Sequence, residues 1–449
     1  MGKLFGTDGI RGVVGENLTA ELAYQVGQAV TVVLSEEKGR TPVIAIGKDT
    51  RISSDMLELA LMAGICSMGG DVMPFGTVPT PAVAFLTVQE GADAGIVVSA
   101  SHNPYEYNGI KVFNESGYKL PDAMENRVEE LILSGKPMAV KTHGDIGRRR
   151  HGMRQMQQDY IQHLCATVSS DLSGLRILVD CANGAASVIA PLLFEHFDLH
   201  ADFIHAKPDG VNINHSCGST HLESLAEGVK AGSYDLGVAF DGDADRCLLI
   251  DEKGHTIDGD KVLAICAAHM KKNGTLRGNA IVATVMSNLG LREFCRKSGL
   301  ALICTDVGDR NVLEKMIDCG YVIGGEQSGH TIFRDYSTTG DGELTALQFL
   351  QVLKDSGVPA SQLSDCCTQY PQVLMNVKVA ADRGAKERIM EHPELLHAIT
   401  EEEARMGEEG RILVRPSGTE ALIRVMVEAK TVETASAVGE RLVNIVNKL

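Results

Sequence analysis

The hexapeptide DGDADR (241–246) sets Asp241, Asp243 and Asp245 at alternate positions between the apolar runs DLGVAF and CLLID. Three carboxylates this close repel one another unless a cation neutralises them. Their hard oxygens suit Mg2+, which completes a shell of about six ligands with water or phosphate. A calcium EF-hand loop is the nearest rival, because Glu252 falls at its twelfth position, but Arg246 stands where that loop needs glycine and CLLI reads as strand. An Asp-rich turn without metal explains the spacing and leaves the repulsion unanswered.

The stretch RPSGTEALIR (415–424) groups Arg415, Ser417, Thr419 and Arg424 around the flexible Gly418. Guanidinium forks and hydroxyls about a backbone turn hold a phosphate dianion. A plain hairpin turn would account for Pro416 and Gly418, but not for both arginines. GGEQSGH (324–330) offers Glu326, Ser328 and His330 between glycines. Carboxylate and hydroxyl suit sugar hydroxyls and an imidazole carries protons near neutral pH, although a histidine alone is more often structural.

In AGIVVSASHNPYEYNGIKVF (94–113) an apolar run stops at Ser99 and Ser101. Ser, Asn and Pro after a strand often mark only a turn. Ser101 and His102 make no hydrolase dyad, since adjacent side chains on extended backbone point apart, and there is no G-x-S-x-G elbow. Beside a metal cluster and a phosphate clamp, the Ser101 oxygen is suited instead to carry a phosphoryl group that fills the open metal position.

These loops must be positioned by the elements around them. Residues 42–73, 175–204 and 279–305 each run from a β-branched stretch through a polar turn into a helical pattern and a second strand, the layout of a βαβ unit. Each is followed by a strand, a polar loop and a returning strand: 94–113 around SASHNPYEYN, 235–251 around DGDADR, and 321–333 around GEQSG. RPSGTE repeats the loop without a preceding βαβ unit. We therefore expect four domains, 1–150, 151–255, 256–370 and 371–449, the last boundary marked by Pro371 in SDCCTQYPQV. In open α/β sheets ligands gather beyond the strand ends, so the four loops are expected to meet at one cleft.

Composition excludes other classes. The chain has 449 residues, 44% hydrophobic, no Trp and a formal charge of -17. That is too large for one core and too acidic for nucleic acid or an anionic membrane as a general partner. The basic GRRRHGMR (147–154) reads as a solvated segment between domains. No apolar stretch approaches the roughly 18 residues of a membrane span, and MGKLFGTDGIRG lacks the apolar region of a signal peptide. Eleven cysteines without paired Cys-x-x-Cys spacing suit reduced thiols, so the expected location is the cytoplasm.

FGTDGIRG (5–12), SASHNPYEYNGIK (99–111), DGDADR, GGEQSGH and RPSGTE, in this order, resemble the α-D-phosphohexomutases over essentially the whole chain. The resemblance implies three similar mixed-sheet α/β domains and a smaller α+β C-terminal domain around a central cleft. It implies Ser101 as the phosphoserine, and one Mg2+ per chain held by Asp241, Asp243, Asp245 and the Ser101 phosphate. Arg11 and Arg246 would flank the transferring group, with Lys111 and His330 as general acid and base. Glu326 and Ser328 would bind sugar hydroxyls, and Arg415, Ser417, Gly418, Thr419 and Arg424 the phosphate that stays in place. Asp309 and Arg310 of TDVGDRNV are additional candidate contacts.

The implied reaction interconverts glucosamine 6-phosphate and glucosamine 1-phosphate, with glucosamine 1,6-bisphosphate as intermediate and activator, on the way to UDP-N-acetylglucosamine and cell-wall precursors. The partner is then a phosphorylated amino sugar, with a homodimer as a candidate assembly. The alternatives are a phosphomannomutase or phosphoglucomutase on the same scaffold, a Mg2+-dependent phosphatase that would not need Ser101, and a non-catalytic sugar-phosphate sensor, which would have no use for a nucleophile. Gln327 and the FGTDGIRG opening favour the amino sugar. Ala244 replaces the glycine of many relatives, and its methyl group is expected to hold the backbone at ordinary angles.

Overall fold

The computed structural model describes residues 4–6, 8–150, 153–380, 384–417 and 421–449, with the side chains of 153 and 154 also outside the description. The chain divides into two compact units, residues 1–286 with 300–366 and residues 287–299 with 367–449.

The first unit carries three sheets. The first contains β1 (Ile10–Val13), β2 (Val43–Lys48), β3 (Asp71–Thr77), β4 (Ala94–Val98) and β5 (Tyr107–Asn114) in the order β1-β5-β4-β2-β3. The second contains β6 (Arg176–Asp180), β7 (His200–Ile204), β8 (Leu236–Phe240), β9 (Cys247–Asp251) and β10 (Thr256–Ile257) in the order β10-β9-β8-β6-β7. The third contains β11 (Ala280–Thr284), β12 (Ala301–Thr305), β13 (Ile323–Gly325) and β14 (Thr331–Phe333) in the order β12-β11-β13-β14.

One pattern recurs in all three sheets. The first strand of each expected βαβ unit pairs in parallel with the second and with the strand that precedes the polar loop, and the returning strand pairs antiparallel with the latter. Strands β4, β8 and β11 lie inside their sheets and are buried at every position, which is why they read as continuous apolar runs rather than alternating ones. The faces are closed by helices: Leu57, Leu61 and Ile65 pack on Ile44, Ile46 and Ile96, Leu225 and Val229 on Leu178 and Ile250, and Val312 and Met316 on Val282 and Ile332. Arg148–Arg150 is exposed, as a solvated segment should be, but its backbone also bonds Val72 along the edge of β3.

The second unit is built on β15 (Gln372–Lys378), β16 (Gly410–Pro416) and β17 (Leu422–Ala429) in the antiparallel order β15-β17-β16. Ala435, Val438 and Leu442 of the last helix cover Ile423, Val425 and Val427. The helix Leu289–Ser298 connects β11 to β12 in sequence as expected, yet it groups with this unit. Its N-terminal Leu289 N–H donates to the buried Glu428 Oε2 at 2.9 Å, and Asn288 Nδ2 donates to the Tyr370 carbonyl at 2.9 Å. A carboxylate at a helix N-terminus is favoured by the orphan N–H groups and the dipole there. Among the described residues no helix is long and apolar enough to cross a membrane.

Candidate active site

Within the first unit the three polar loops all follow the carboxyl ends of equivalent strands, where ligands of open α/β sheets bind. Asp241 and Glu326 directly follow β8 and β13, and Ser101 stands three residues beyond β4. The loops meet: Ser101 Oγ donates to Asp241 Oδ2 at 2.6 Å, and His330 Nδ1 lies 3.7 Å from Asp245 Oδ1. The fourth loop belongs to the second unit.

Ser101 is buried and sits at φ 53°, a left-handed conformation that a residue with a Cβ adopts only when its surroundings enforce it. The enforcement is visible. Its carbonyl accepts from Arg51 Nη2 at 3.1 Å and Asn214 Nδ2 at 2.8 Å, and its N–H donates to Ser99 Oγ at 3.0 Å. Arg51 is itself buried and ion-paired with Asp49. Gly242 makes the approach of the two loops possible, because a Cβ there would stand 2.6 Å from the Ser101 carbonyl oxygen and 2.8 Å from Asn214 Nδ2.

Asp241, Asp243 and Asp245 are buried, and one oxygen from each lies within 4.8 Å of the others. Asp243 Oδ1 and Asp245 Oδ1 are buried without a hydrogen-bond partner among the described residues. Orphaned buried carboxylate oxygens are costly, and a hard divalent cation is the group that satisfies both while drawing Asp241 in beside them. The residues therefore fit Mg2+. Burial, with Asp245 and Asp243 beside it, pushes the Asp241 carboxyl well up. Burial acts the same way on Asp245 but is overcome by Lys111, His330 and Arg246, which hold it below the usual carboxylate range.

Lys111 Nζ lies 3.1 Å from Asp243 Oδ2, 3.2 Å from Asp8 Oδ2 and 3.5 Å from Asp245 Oδ2. Burial disfavours its charge, but these three carboxylates outweigh burial and raise it, so it is a firmly charged ammonium. His330 is buried between Asp245 and Asp309, each 3.7 Å away, which raise it against the opposing effect of burial. The Gly340 N–H donates to His330 Nε2 at 3.1 Å. That contact favours the neutral tautomer with its proton on Nδ1, while the flanking carboxylates favour the cation, so this ring can gain and lose a proton. Gly340 allows the contact, since a Cβ there would fall 2.5 Å from the ring.

The other residues expected from sequence fall into three groups. Arg11, paired with Asp8, and Arg246, whose Nε lies 3.8 Å from Asp245, both border the Ser101 loop. After burial, their charges are what lower neighbouring His102 to about 4. Glu326 accepts from the Gly308 N–H at 3.2 Å and Ser328 is exposed. Asp309 is engaged by Lys119 at 2.7 Å as well as by His330, and Arg310 by Asp122 and the Leu120 carbonyl. Asp309, Arg310, His330 and Lys119 line a cavity of about 340 Å3 together with Phe113 and Tyr118.

In the second unit Arg415 and Arg424 are direct cross-strand partners on β16 and β17. Like charges opposite one another destabilise a sheet, and burial followed by Arg424 lowers the Arg415 guanidinium from its usual value. Ser417 is buried, and its carbonyl accepts from Lys386 Nζ at 2.6 Å. A third cation thus joins the pair. Gly418 and Thr419 lie outside the described residues.

Ala244 departs from expectation. It adopts φ 52°, so its methyl group does not keep the backbone at ordinary angles. The conformation is held by the Ala244 N–H donating to the Asp241 carbonyl at 3.1 Å and by its own carbonyl accepting from the Gly342 N–H at 2.9 Å. Several supporting residues gave no sequence signal: Thr80, whose Oγ1 donates to Asp243 Oδ2 at 2.7 Å, and Arg51, Asn214, Asp8 and Lys119.

The phosphoglucomutase/phosphomannomutase family matches this chain in four consecutive parts, its alpha/beta/alpha domains I, II and III over residues 2–138, 158–254 and 258–370 and its C-terminal domain over 374–445. The phosphoglucosamine mutase of Caldanaerobacter subterraneus is 50% identical over 100% of this chain and 99% of its own. That of Acetivibrio thermocellus is 51% identical over 96% of this chain and 95% of its own. Among solved structures, a phosphoglucomutase/phosphomannomutase family protein of Burkholderia thailandensis has a similar fold, with a TM-score of 0.80 at 23% identity over 100% of this chain and 98% of that one. The Aspergillus fumigatus N-acetylphosphoglucosamine mutase, solved with GlcNAc-6P and magnesium, gives 0.70 at 18% identity over 100% and 96%. This chain belongs to the phosphoglucomutase/phosphomannomutase family, among its phosphoglucosamine mutases, and is an isomerase of the phosphomutase class.

Proposed function

We propose that this protein interconverts glucosamine 6-phosphate and glucosamine 1-phosphate through a phosphoserine at Ser101 and a glucosamine 1,6-bisphosphate intermediate. The carrying observation is the Ser101 Oγ contact to Asp241 at 2.6 Å, on the edge of three buried carboxylates of which Asp243 and Asp245 each carry an orphaned oxygen. The amino sugar comes from the relatives at 50% and 51% identity named for it.

In the first half-reaction the bond from phosphorus to Ser101 Oγ breaks and a bond from phosphorus to the sugar hydroxyl forms. His330 accepts the hydroxyl proton and later releases it to solvent, while Ser101 Oγ takes one proton from solvent as the phosphoryl group departs, so the proton count is unchanged. Lys111, Arg11 and Arg246 supply fixed positive charge where the transferring oxygens gain negative charge, which is how positioned cations lower such barriers. A Mg2+ held by Asp241, Asp243, Asp245 and the Ser101 phosphate would neutralise further charge there. Glu326 and Ser328 orient the sugar hydroxyls, and Asp309 keeps the His330 ring in place.

In the second half-reaction the bisphosphate returns its other phosphoryl group to Ser101, which completes the isomerisation without net consumption of phosphate. Arg415, Ser417, Gly418, Thr419 and Arg424 bind the phosphate that is not moving. An anion there would also offset the repulsion between the two facing arginines. Domains 1–150, 151–255, 256–370 and 371–449 each contribute one of the four loops.

The direct test is Ser101→Ala. Mutase turnover should fall by at least about 10³-fold while glucosamine 6-phosphate still binds within a few-fold of wild type. Full turnover without this hydroxyl would overturn the reading.

A further inference from the structure

A second cluster of ligand-type side chains lies outside the reaction described above. Asp180 ends β6, His205 follows β7, and Cys217 precedes the short turn Gly218–Thr220. Three separate segments thus bring a carboxylate, an imidazole and a thiol together, with one ligand atom of each within 4.8 Å of the others. His205 Nδ1 lies 3.0 Å from Asp180 Oδ2. Asp180 and Cys217 are fully buried, whereas the His205 side chain is 31% exposed, so the cluster is closed on two sides and wet on the third.

The donor set separates it from the aspartate triad. Three carboxylates suit Mg2+, which takes oxygen ligands almost exclusively. Oxygen, nitrogen and sulfur together suit a borderline ion such as Zn2+, which is four-coordinate and leaves one position for water when three protein ligands hold it. Metal–ligand distances of about 2.0–2.3 Å place tetrahedral donors roughly 3.3–3.8 Å apart, so the cluster needs a contraction on the order of 1 Å. Its carboxylate is already oriented from behind: Asp180 accepts from the Ala182 N–H at 2.9 Å and the Gly218 N–H at 3.0 Å, as outer-shell contacts orient metal ligands.

The surrounding backbone is under strain that a bound ion would help to hold. Ala182, Asn183, His205, Asn214 and Ser216 all have positive φ. These same segments contact the proposed phosphoserine loop, the aspartate loop and the turn after β2. Asn214 donates to the carbonyls of Ser101 and Asn103 at 2.8 and 3.0 Å, Thr50 Oγ1 donates to the Asn183 carbonyl at 2.5 Å, and the Ala185 N–H donates to the Gly242 carbonyl at 2.9 Å.

We propose that Asp180, His205 and Cys217 form a second metal site, selective for Zn2+-class ions, that locks the two loops supporting Ser101. On binding, the Cys217 thiol loses its proton to solvent and the sulfur–metal bond forms. His205 Nδ1 exchanges its contact with Asp180 for the ion, its proton moving to Nε2, or to solvent where the ring starts charged, and no electrons are transferred. The inference stands whether or not Ser101 carries a phosphoryl group.

The test titrates Co2+ into the full-length protein with Mg2+ in excess, so that the oxygen-only triad is occupied by the hard ion. A thiolate-to-cobalt charge-transfer band in the near ultraviolet should saturate at one equivalent and bleach on addition of Zn2+. Cys217→Ser should abolish the band, and His205→Ala should weaken Co2+ binding by about 10–100-fold or more while turnover with Mg2+ alone persists. Should Cys217→Ser fail to fold, His205→Ala carries the same comparison at a partly exposed position. No band in wild type, or one unchanged in either folded variant, would overturn the proposal.

Discussion

At the residue scale, the proposed chemistry rests on groups whose environments push their protonation apart. Lys111 is fixed as a cation by Asp243, Asp8 and Asp245 despite its burial, whereas His330 balances a Gly340 N–H contact against two carboxylates. The second is the group suited to carry a proton near neutral pH. His330→Gln should therefore lower kcat by about 10²–10⁴-fold and leave KM within a few-fold, measured by steady-state kinetics on glucosamine 6-phosphate. An unchanged kcat would remove His330 from the reaction. Ser101, the three aspartates and His330 could be singled out in the sequence because each stands in a short loop between apolar runs, and the structure brings them together. The groups that hold them were not. Arg51, Asn214, Thr80 and Lys119 reach their partners across 50, 113, 163 and 190 residues, and no local pattern encodes such contacts. Ala244 failed in the other direction, since tertiary hydrogen bonds enforce a backbone angle that its methyl group alone would resist.

At the scale of elements, one strand–loop–strand device is used three times in the first unit, and its loops meet because each follows the carboxyl end of an interior strand. The alternation of apolar runs and polar loops made all three βαβ units legible. It did not reveal that the helix Leu289–Ser298 groups with the C-terminal unit, because an amphipathic helix does not specify which neighbour covers it and the partner Glu428 is 139 residues away. Close loop approach has its own requirement. In Gly242→Ala the new Cβ must displace the Ser101 carbonyl or Asn214, so Ser101 and Asp241 move apart. Turnover should drop on the order of 10²-fold with the circular dichroism spectrum unchanged. Wild-type kcat in this variant would show that the contact between the two loops is not needed.

At the scale of the whole molecule, a chain of formal charge -17 still places Lys111, Arg11 and Arg246 beside the aspartate and serine loops, local positive charge that attracts an anionic ligand. The first unit also buries carboxyls that take no part in the proposed reaction. Asp341 caps the helix Gly342–Ser356 and accepts from Tyr160 at 2.9 Å, and its burial raises it to about 6. A carboxyl raised on folding binds its proton more tightly in the native state. Its favourable contribution is therefore complete below the unfolded value near 4 and is lost as pH rises through about 6. Asp341→Asn keeps the helix cap without the ionisation, its amide N–H donating to the Tyr160 oxygen instead of accepting from it, so between pH 4 and 7 it should gain roughly 2 kcal/mol of unfolding free energy relative to wild type, read by denaturant unfolding. Parallel pH profiles for the two proteins would rule this out. The central claim, phosphoryl transfer through Ser101 on an amino sugar, is tested most directly by one experiment on the purified protein with Mg2+. Turnover of glucosamine 6-phosphate is compared with that of glucose and mannose 6-phosphates, while intact mass and peptide mapping locate any bound phosphate. The account expects a large preference for the amino sugar and a single phosphate on Ser101. Preference for a neutral hexose phosphate, release of inorganic phosphate, or a phosphate on any other residue would contradict it.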